Sequence, residues 1–149
     1  MSIQIRFALN SDLENIIDLC SDYGQGGDIL GLNIPINRDR IKESVIFNFH
    51  NVIVLILDGV IIGAIVGNVV NCECTADTVF MAMLLYVKKA YRRYTKYFLQ
   101  GADKLSREKD ATMFLLVAPN FKDRKRLERF YSILGYRLLE SHYVKKVGV

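Results

Sequence analysis

The sequence predicts a mixed α/β fold in a single domain over residues 1–149: a mostly antiparallel central sheet of six to seven strands, flanked by about four helices, with the fourth and fifth strands parallel. Three observations carry this. Two apolar runs, Val52 to Leu57 and Val60 to Val70, are separated by Asp58-Gly59, a pair suited to the positive φ values of a type I′ hairpin turn. A third run, Thr78 to Val87, passes through a short basic turn into a helical pattern and then into the apolar run Met113 to Val117. That is a β-α-β unit, whose strands should be parallel. No internal repeat or linker interrupts the chain, and with 51% hydrophobic residues it has enough apolar surface to order itself.

Each element has a local reason. Ile3, Ile5 and Phe7 alternate with Gln4 and Arg6, as a half-buried first strand does. Ser11-Asp12-Leu13-Glu14 reads as a capping box that starts a helix with Leu13, Ile16, Ile17 and Cys20 on one face. Tyr23 to Asn33 is glycine-rich. It follows a helix rather than a strand, so Gly24 to Gly27 reads as a surface loop and not as a phosphate cradle. A second helix is expected over Arg38 to Phe49, with Ile41, Val45 and Phe49 inward. The two strands of the hairpin follow, then the polar connection Asn71 to Asp77 and the fourth strand. The third helix is expected over about Arg93 to Arg107, with Tyr94, Tyr97, Phe98, Gly101, Ala102 and Leu105 on its apolar stripe. The fourth covers about Phe121 to Leu134, with Leu127, Phe130, Tyr131 and Leu134 inward and Gly135 as its stop. Tyr136 to Val147 should hold one or two closing strands.

Composition narrows the function classes. Val52 to Val70 is long and apolar enough to suggest a membrane span, but Asp58-Gly59 inside it favours two buried strands. The N-terminus lacks a basic start followed by an apolar core, so no signal peptide is expected. Three cysteines, Cys20, Cys72 and Cys74, do not make a disulfide framework, which points to a reducing, cytoplasmic setting. Cys72 and Cys74 lack the second ligand pair that a zinc site needs, so no metal is expected. The net charge is +4, and the segments Lys88 to Lys96 and Lys122 to Arg129 hold half of the 20 Lys and Arg residues. Such clusters suit an anionic ligand. Lys88 to Lys96 is the better placed, because a strand ending in a basic turn that opens a helix can hold phosphate on backbone N–H groups and helix dipole.

These features, taken in order, resemble the GNAT superfamily of acyl-CoA-dependent N-acetyltransferases. Leu85-Tyr86-Val87 is similar to the end of that family's fourth strand, and Tyr91-Arg92 to the Tyr-Arg pair that follows it. Phe130-Tyr131-Ser132-Ile133-Leu134-Gly135-Tyr136 is similar to its Leu-Tyr-x-x-x-Gly-Phe signature. Ser141 to Lys146 resembles the last strand of small phage-borne members. The resemblance covers nearly the whole chain. Thr95 and Tyr97 stand where the family has glycines in its pyrophosphate loop; Tyr97 is expected to fit by turning into the core. Arg124 and Leu127 replace the usual Asn-x-x-Ala, with Asn120 four residues earlier.

The resemblance implies acetyl transfer from acetyl-CoA to a primary amine by direct attack. It places the pantetheine arm along Leu85, Tyr86 and Val87. The pyrophosphate would lie against Arg92, Arg93, Tyr94, Thr95, Lys96 and Tyr97, with Asn120 nearby and Lys122, Arg124 and Lys125 facing the 3′-phosphate. Tyr131 matches the general acid. Asp77 is the best-placed carboxylate for a base, with His142 and Glu73 behind it. The acceptor would be a small molecule or a protein amine, met by the first two helices and the two polar loops. Exposed strand edges could pair in a homodimer. Two other readings remain: a GNAT-fold protein that has lost catalysis and acts by binding, and nucleic-acid binding through the basic and tyrosine residues of Lys88 to Tyr97, which the inward stripe of Tyr94 and Tyr97 disfavours.

Overall fold

The computed structural model describes residues 1–22, 37–117, 124–139, 143, 145, 147 and 148. They fall in two compact units, one formed by the residues up to 117 and the other by those from 124 onward.

The first unit is an open five-stranded sheet in the order β1-β2-β3-β4-β5. Its strands are β1 (Ile3–Phe7), β2 (Val52–Leu57), β3 (Val60–Asn71), β4 (Thr78–Val87) and β5 (Met113–Leu116). The helices are α1 (Leu13–Ser21), α2 (Arg38–Phe47) and α3 (Thr95–Ser106). β1 to β4 pair antiparallel, and β4 pairs parallel with β5, as the pattern predicts. The Asp58-Gly59 turn forms with φ of 48° and 82°. The long apolar stretch is therefore a hairpin. Among the described residues no helix is long and apolar enough to cross a membrane.

The sheet carries helices on both faces. Val52, Val54 and Ile56 of β2, with Ala64 and Val66 of β3, pack with Ile16, Ile17, Leu19 and Cys20 of α1 and Val45 of α2. Leu84 and Tyr86 of β4 join that cluster. The opposite face receives α3 at Gly101, where an added Cβ would lie 2.6 Å from Ile5 Cδ1. Ile5 pairs with Leu55, Leu55 with Gly63 and Gly63 with Val87, so these residues share the face of α3.

β4 contains a bulge. Val66 pairs with Leu84 and Gly67 with Ala82, which leaves Met83 as the extra residue. The extra residue reverses the alternation, so Phe80 and Ala82 lie on one face and Leu84 and Tyr86 on the other. Gly67 is required here. A Cβ on it would lie 2.2 Å from Phe80 Cζ, and the Phe80 ring stacks on Phe114 of β5 at 5.2 Å between centroids.

Several boundaries differ from expectation. The Ser11 and Glu14 capping box does not open α1. Instead Asn10 to Asp12 make a 3-10 turn, and the Asp12 carboxylate accepts from Leu9 N–H at 2.7 Å and from Arg6 Nη1 at 2.6 Å. The guanidinium beside Asp12 holds its carboxyl below the ordinary value. α2 starts on an Asn37 cap and ends at Phe47, where the Asn48 side chain donates to Ser44 O at 2.9 Å.

The second unit contains α4 (Arg124–Ile133). Tyr131 is buried on the expected stripe, with Leu127, Phe130 and Leu134 half-buried. Gly135 ends the helix at φ 91°, and Tyr136 N–H closes back onto Tyr131 O at 3.0 Å. The expected six to seven strands are not matched: five occur among the described residues. Tyr136 to Leu139 is not strand, and its adjacent Leu138 and Leu139 are both exposed, which breaks the alternation a one-sided strand needs. Glu140, Ser141, His142, Val144, Lys146 and Val149 lie outside the described residues.

Candidate functional site

β4 leads into a 3-10 turn, Lys89–Tyr94, which runs directly into α3. Val87 is buried and closes the strand, while Lys88 N–H donates to Ile62 O at 2.9 Å and holds the turn on β3. The turn and the first residues of α3 carry Lys88, Lys89, Arg92, Arg93 and Lys96. No Asp or Glu occurs between Asp77 and Asp103. Among the described residues none of these five cations has an ion-pair partner, whereas Arg6, Arg38, Arg40, Arg107 and Arg124 each have one. Like charges gathered without counter-charge repel one another, so the cluster lowers its energy by taking up an anion.

The side chains divide into buried supports and exposed groups. Tyr94 is buried, and its hydroxyl donates to Met1 Sδ at 3.2 Å. Arg93 lies over the Tyr94 ring at 5.0 Å and donates to its hydroxyl at 3.2 Å. Arg92 and Lys96 are exposed, and Thr95 is half-buried. Thr95 N–H donates to Arg92 O, so the 3-10 turn has already taken one donor that was expected to face phosphate. α3 has no side-chain cap at Tyr94.

Tyr97 corrects the expected stripe: it does not turn into the core and is 57% exposed. The buried face of α3 is Phe98, Leu99, Ala102 and Ser106. Ala102 is five residues beyond Tyr97, a rotation of about 140° at about 100° per residue, so the two side chains point away from each other. The expected stripe was phased on Tyr94, which belongs to the 3-10 turn and not to α3.

Leu85, Tyr86 and Val87 sit where the pairing of β4 changes. β5 pairs only with Val79 to Ala82, and β4 continues beyond it through Met83 to Val87. The bulge at Met83 therefore falls where β5's ladder ends. No sequence signal marked it, because Val79 to Val87 is hydrophobic throughout.

Asp77 lies at the other end of β4, about 30 Å from Val87 at about 3.3 Å per residue. Its oxygens accept from Thr75 Oγ1 at 2.6 Å and Thr112 Oγ1 at 3.0 Å, and its carbonyl accepts from Cys72 N–H at 2.9 Å. The Thr75 and Thr112 hydroxyls hold its carboxyl below the ordinary value. A carboxylate so satisfied is a weak base, and its position suits a clasp across the β3–β4 connection and the start of β5. Glu73 is exposed on the same connection.

Tyr131 lies in the second unit, its ring 6.1 Å from Phe130 and 5.8 Å from Tyr136 between centroids. Arg124 is engaged with Glu128 at 2.7 Å, and Lys125 is exposed. Asn120, Lys122, His142 and Tyr23 to Asn33 lie outside the described residues. Burial pushes the Cys20 thiol up to about 12, which makes it inert. Among the described residues no three His, Cys, Asp or Glu side chains gather as metal ligands.

No family model and no curated protein matches the sequence. Solved structures do match it. AAC(6′)-Iy, in complex with the bisubstrate analogue CoA-S-monomethyl-acetylneamine, superposes with a TM-score of 0.73 at 13% identity over 100% of both chains. A ribosomal-protein-alanine N-acetyltransferase from Brucella melitensis gives 0.72 at 18% identity, over 99% of this chain and 100% of that one. A GNAT family acetyltransferase from Staphylococcus aureus gives 0.68 at 21% identity, again over 99% and 100%. This likeness establishes the fold, which is that of the GNAT acetyltransferases.

Proposed function

We propose that this chain is an N-acetyltransferase that moves an acetyl group from acetyl-CoA to a primary amine by direct attack. The observation that carries the reading is the uncompensated cation cluster at the end of β4, on a fold whose solved examples are acetyltransferases and include one holding a CoA analogue.

The residues fit such a cosubstrate. Arg92 and Lys96 supply charge-assisted contacts to diphosphate oxygens, with Arg93 held beside them on Tyr94. The first turn of α3 adds helix dipole and N–H groups after Thr95. Leu85, Tyr86 and Val87 remain the proposed contacts of a pantetheine arm on the strength of the resemblance. Asn120 and the basic residues of α4 remain proposed contacts on the strength of the resemblance.

In the reaction the amine lone pair attacks the thioester carbonyl, the C–N bond forms, and the C–S bond breaks. The nitrogen loses a proton and the departing sulfur gains one. Tyr131 is proposed to donate that proton. The proton from the amine would go to water or to a carboxylate other than the clasped Asp77. The acceptor is a small molecule or a protein amine, and a homodimer through the edge strand β1 is compatible with this reading.

The test is thiol release from acetyl-CoA across a panel of amines, including peptides. Release that needs the amine and falls on Tyr131→Phe supports the reading. Tight acetyl-CoA binding with no transfer to any amine favours the second reading, a GNAT-fold binder without catalysis. The observation behind that alternative is Thr95 and Tyr97 in the loop and the donor already lost to Arg92 O.

A further inference from the structure

We propose that Cys72 and Cys74 form a thiol modification site on the β3–β4 connection: Cys72 attacks a small-molecule disulfide, and Cys74 resolves the adduct. This goes beyond the acetyl-transfer reading and does not depend on it.

The placement of the pair comes first. Cys72 and Cys74 are two residues apart, and both are free. The chain bends from Glu73 to Ala76. Even fully extended, two residues span only about 7 Å, so the pair stays within reach of a disulfide. Cys72 is half-buried and Cys74 exposed, so a small reagent can meet both. The third cysteine, Cys20, is fully buried in the cluster beneath α1.

The donors around Cys72 come second. Its sulfur accepts from the Thr75 hydroxyl and from the N–H groups of Cys74 and Thr75. The Thr75 hydroxyl also donates to Asp77 at 2.6 Å, so its single proton serves one of them at a time, while the two N–H groups belong to the bend itself. Cys72 N–H donates to Asp77 O at 2.9 Å and Thr112 holds the Asp77 carboxylate at 3.0 Å, which fixes the connection in this shape. The three donors hold the Cys72 thiol below its ordinary value against the opposing charge of Asp77. A thiol so lowered carries more of the thiolate, which is the attacking species.

In the first step the Cys72 thiolate attacks one sulfur of R–S–S–R. A bond from Cys72 to that sulfur forms, the reagent's S–S bond breaks, and R–S⁻ leaves and takes a proton from water. The Cys74 thiolate then attacks the Cys72 sulfur and expels the second R–S⁻. The two cysteines are oxidised to a disulfide and the reagent is reduced to its two thiols. Excess free thiol reverses both steps.

Exposure alone ranks Cys74 ahead of Cys72, so the order of reaction decides. The full chain, treated with iodoacetamide at about pH 7 and digested for mass spectrometry, should show Cys72 alkylated at least about fivefold faster than Cys74. With oxidised glutathione, Cys74→Ser should keep one glutathione on Cys72, and Cys72→Ser should react at least about fivefold more slowly. The wild type should end with Cys72 joined to Cys74 and no adduct. An unlabelled Cys20 shows that each variant is folded. Cys74 labelled first, or at the same rate as Cys72, overturns the proposal. A wild type that keeps glutathione on Cys72 overturns the resolving role of Cys74, and with it the paired site.

Discussion

The two ends of β4 treat charge in opposite ways. At the start, Asp77 is surrounded by donors: two threonine hydroxyls take its oxygens, and the backbone of Cys72 closes on its carbonyl. At the finish, five cations stand together with no carboxylate among the described residues to meet them. A charge whose partners are all internal contributes to structure. A charge cluster left without partners is what the proposed cosubstrate would meet. Between the ends, the bulge at Met83 marks where β4 changes from a strand paired on both sides to one that β5 no longer follows.

The largest effect should come from the structural half of the strand. Phe80 is fully buried, stacks on Phe114 and covers Gly67. Phe80→Ala should cost about 3–5 kcal/mol in urea unfolding. A loss below about 1 kcal/mol would mean the core does not depend on this ring.

A satisfied charge elsewhere in the first unit should come next. Asp12→Ala leaves Arg6 and Leu9 N–H without their partner, at about 1–3 kcal/mol. The Asp12 carboxyl lies below its ordinary value in the fold, so its stabilisation is present above that value and is lost as pH falls through the lowered one. Unfolding midpoints measured downward from about pH 5 should therefore fall in the wild type more steeply than in Asp12→Ala. Parallel profiles would show that the pair contributes nothing.

The unsatisfied end should respond in the reverse sense. Arg92→Ala with Lys96→Ala should leave stability within about 0.5 kcal/mol, or raise it by relieving repulsion, while weakening acetyl-CoA at least about tenfold. A melting temperature that drops with unchanged affinity would erase the contrast between the two ends.

The smallest effect belongs to Asp77→Asn. It should lower the melting temperature slightly and leave kcat nearly unchanged. If Asp77 is the base instead, kcat falls by about a hundredfold or more with little change in melting.

Much of this architecture was legible in the residues. The Asp58-Gly59 hairpin, the parallel β4–β5 pair and the stripe of α4 follow from turn chemistry and periodicity, which are local. The basic turn was legible too, because charge clustering needs no tertiary information. What failed depended on neighbours. The side of α3 that Tyr97 occupies turned on whether Tyr94 belongs to a 3-10 turn or to the helix, and both readings bury Phe98 and Ala102. The Met83 bulge lies in a uniformly apolar run with no alternation to break. The partners of Asp77 include Thr112, far away in sequence, so its role as a clasp could not be read from its position before a strand.

The most direct measurement is the affinity of the purified chain for acetyl-CoA at low and high salt, beside the Arg92→Ala, Lys96→Ala variant. The account predicts binding that weakens as salt rises, with most of that dependence lost in the variant, because the uncompensated cations then hold the phosphates. Absence of binding, or binding indifferent to both salt and substitution, would contradict the claim that the end of β4 is an anion site.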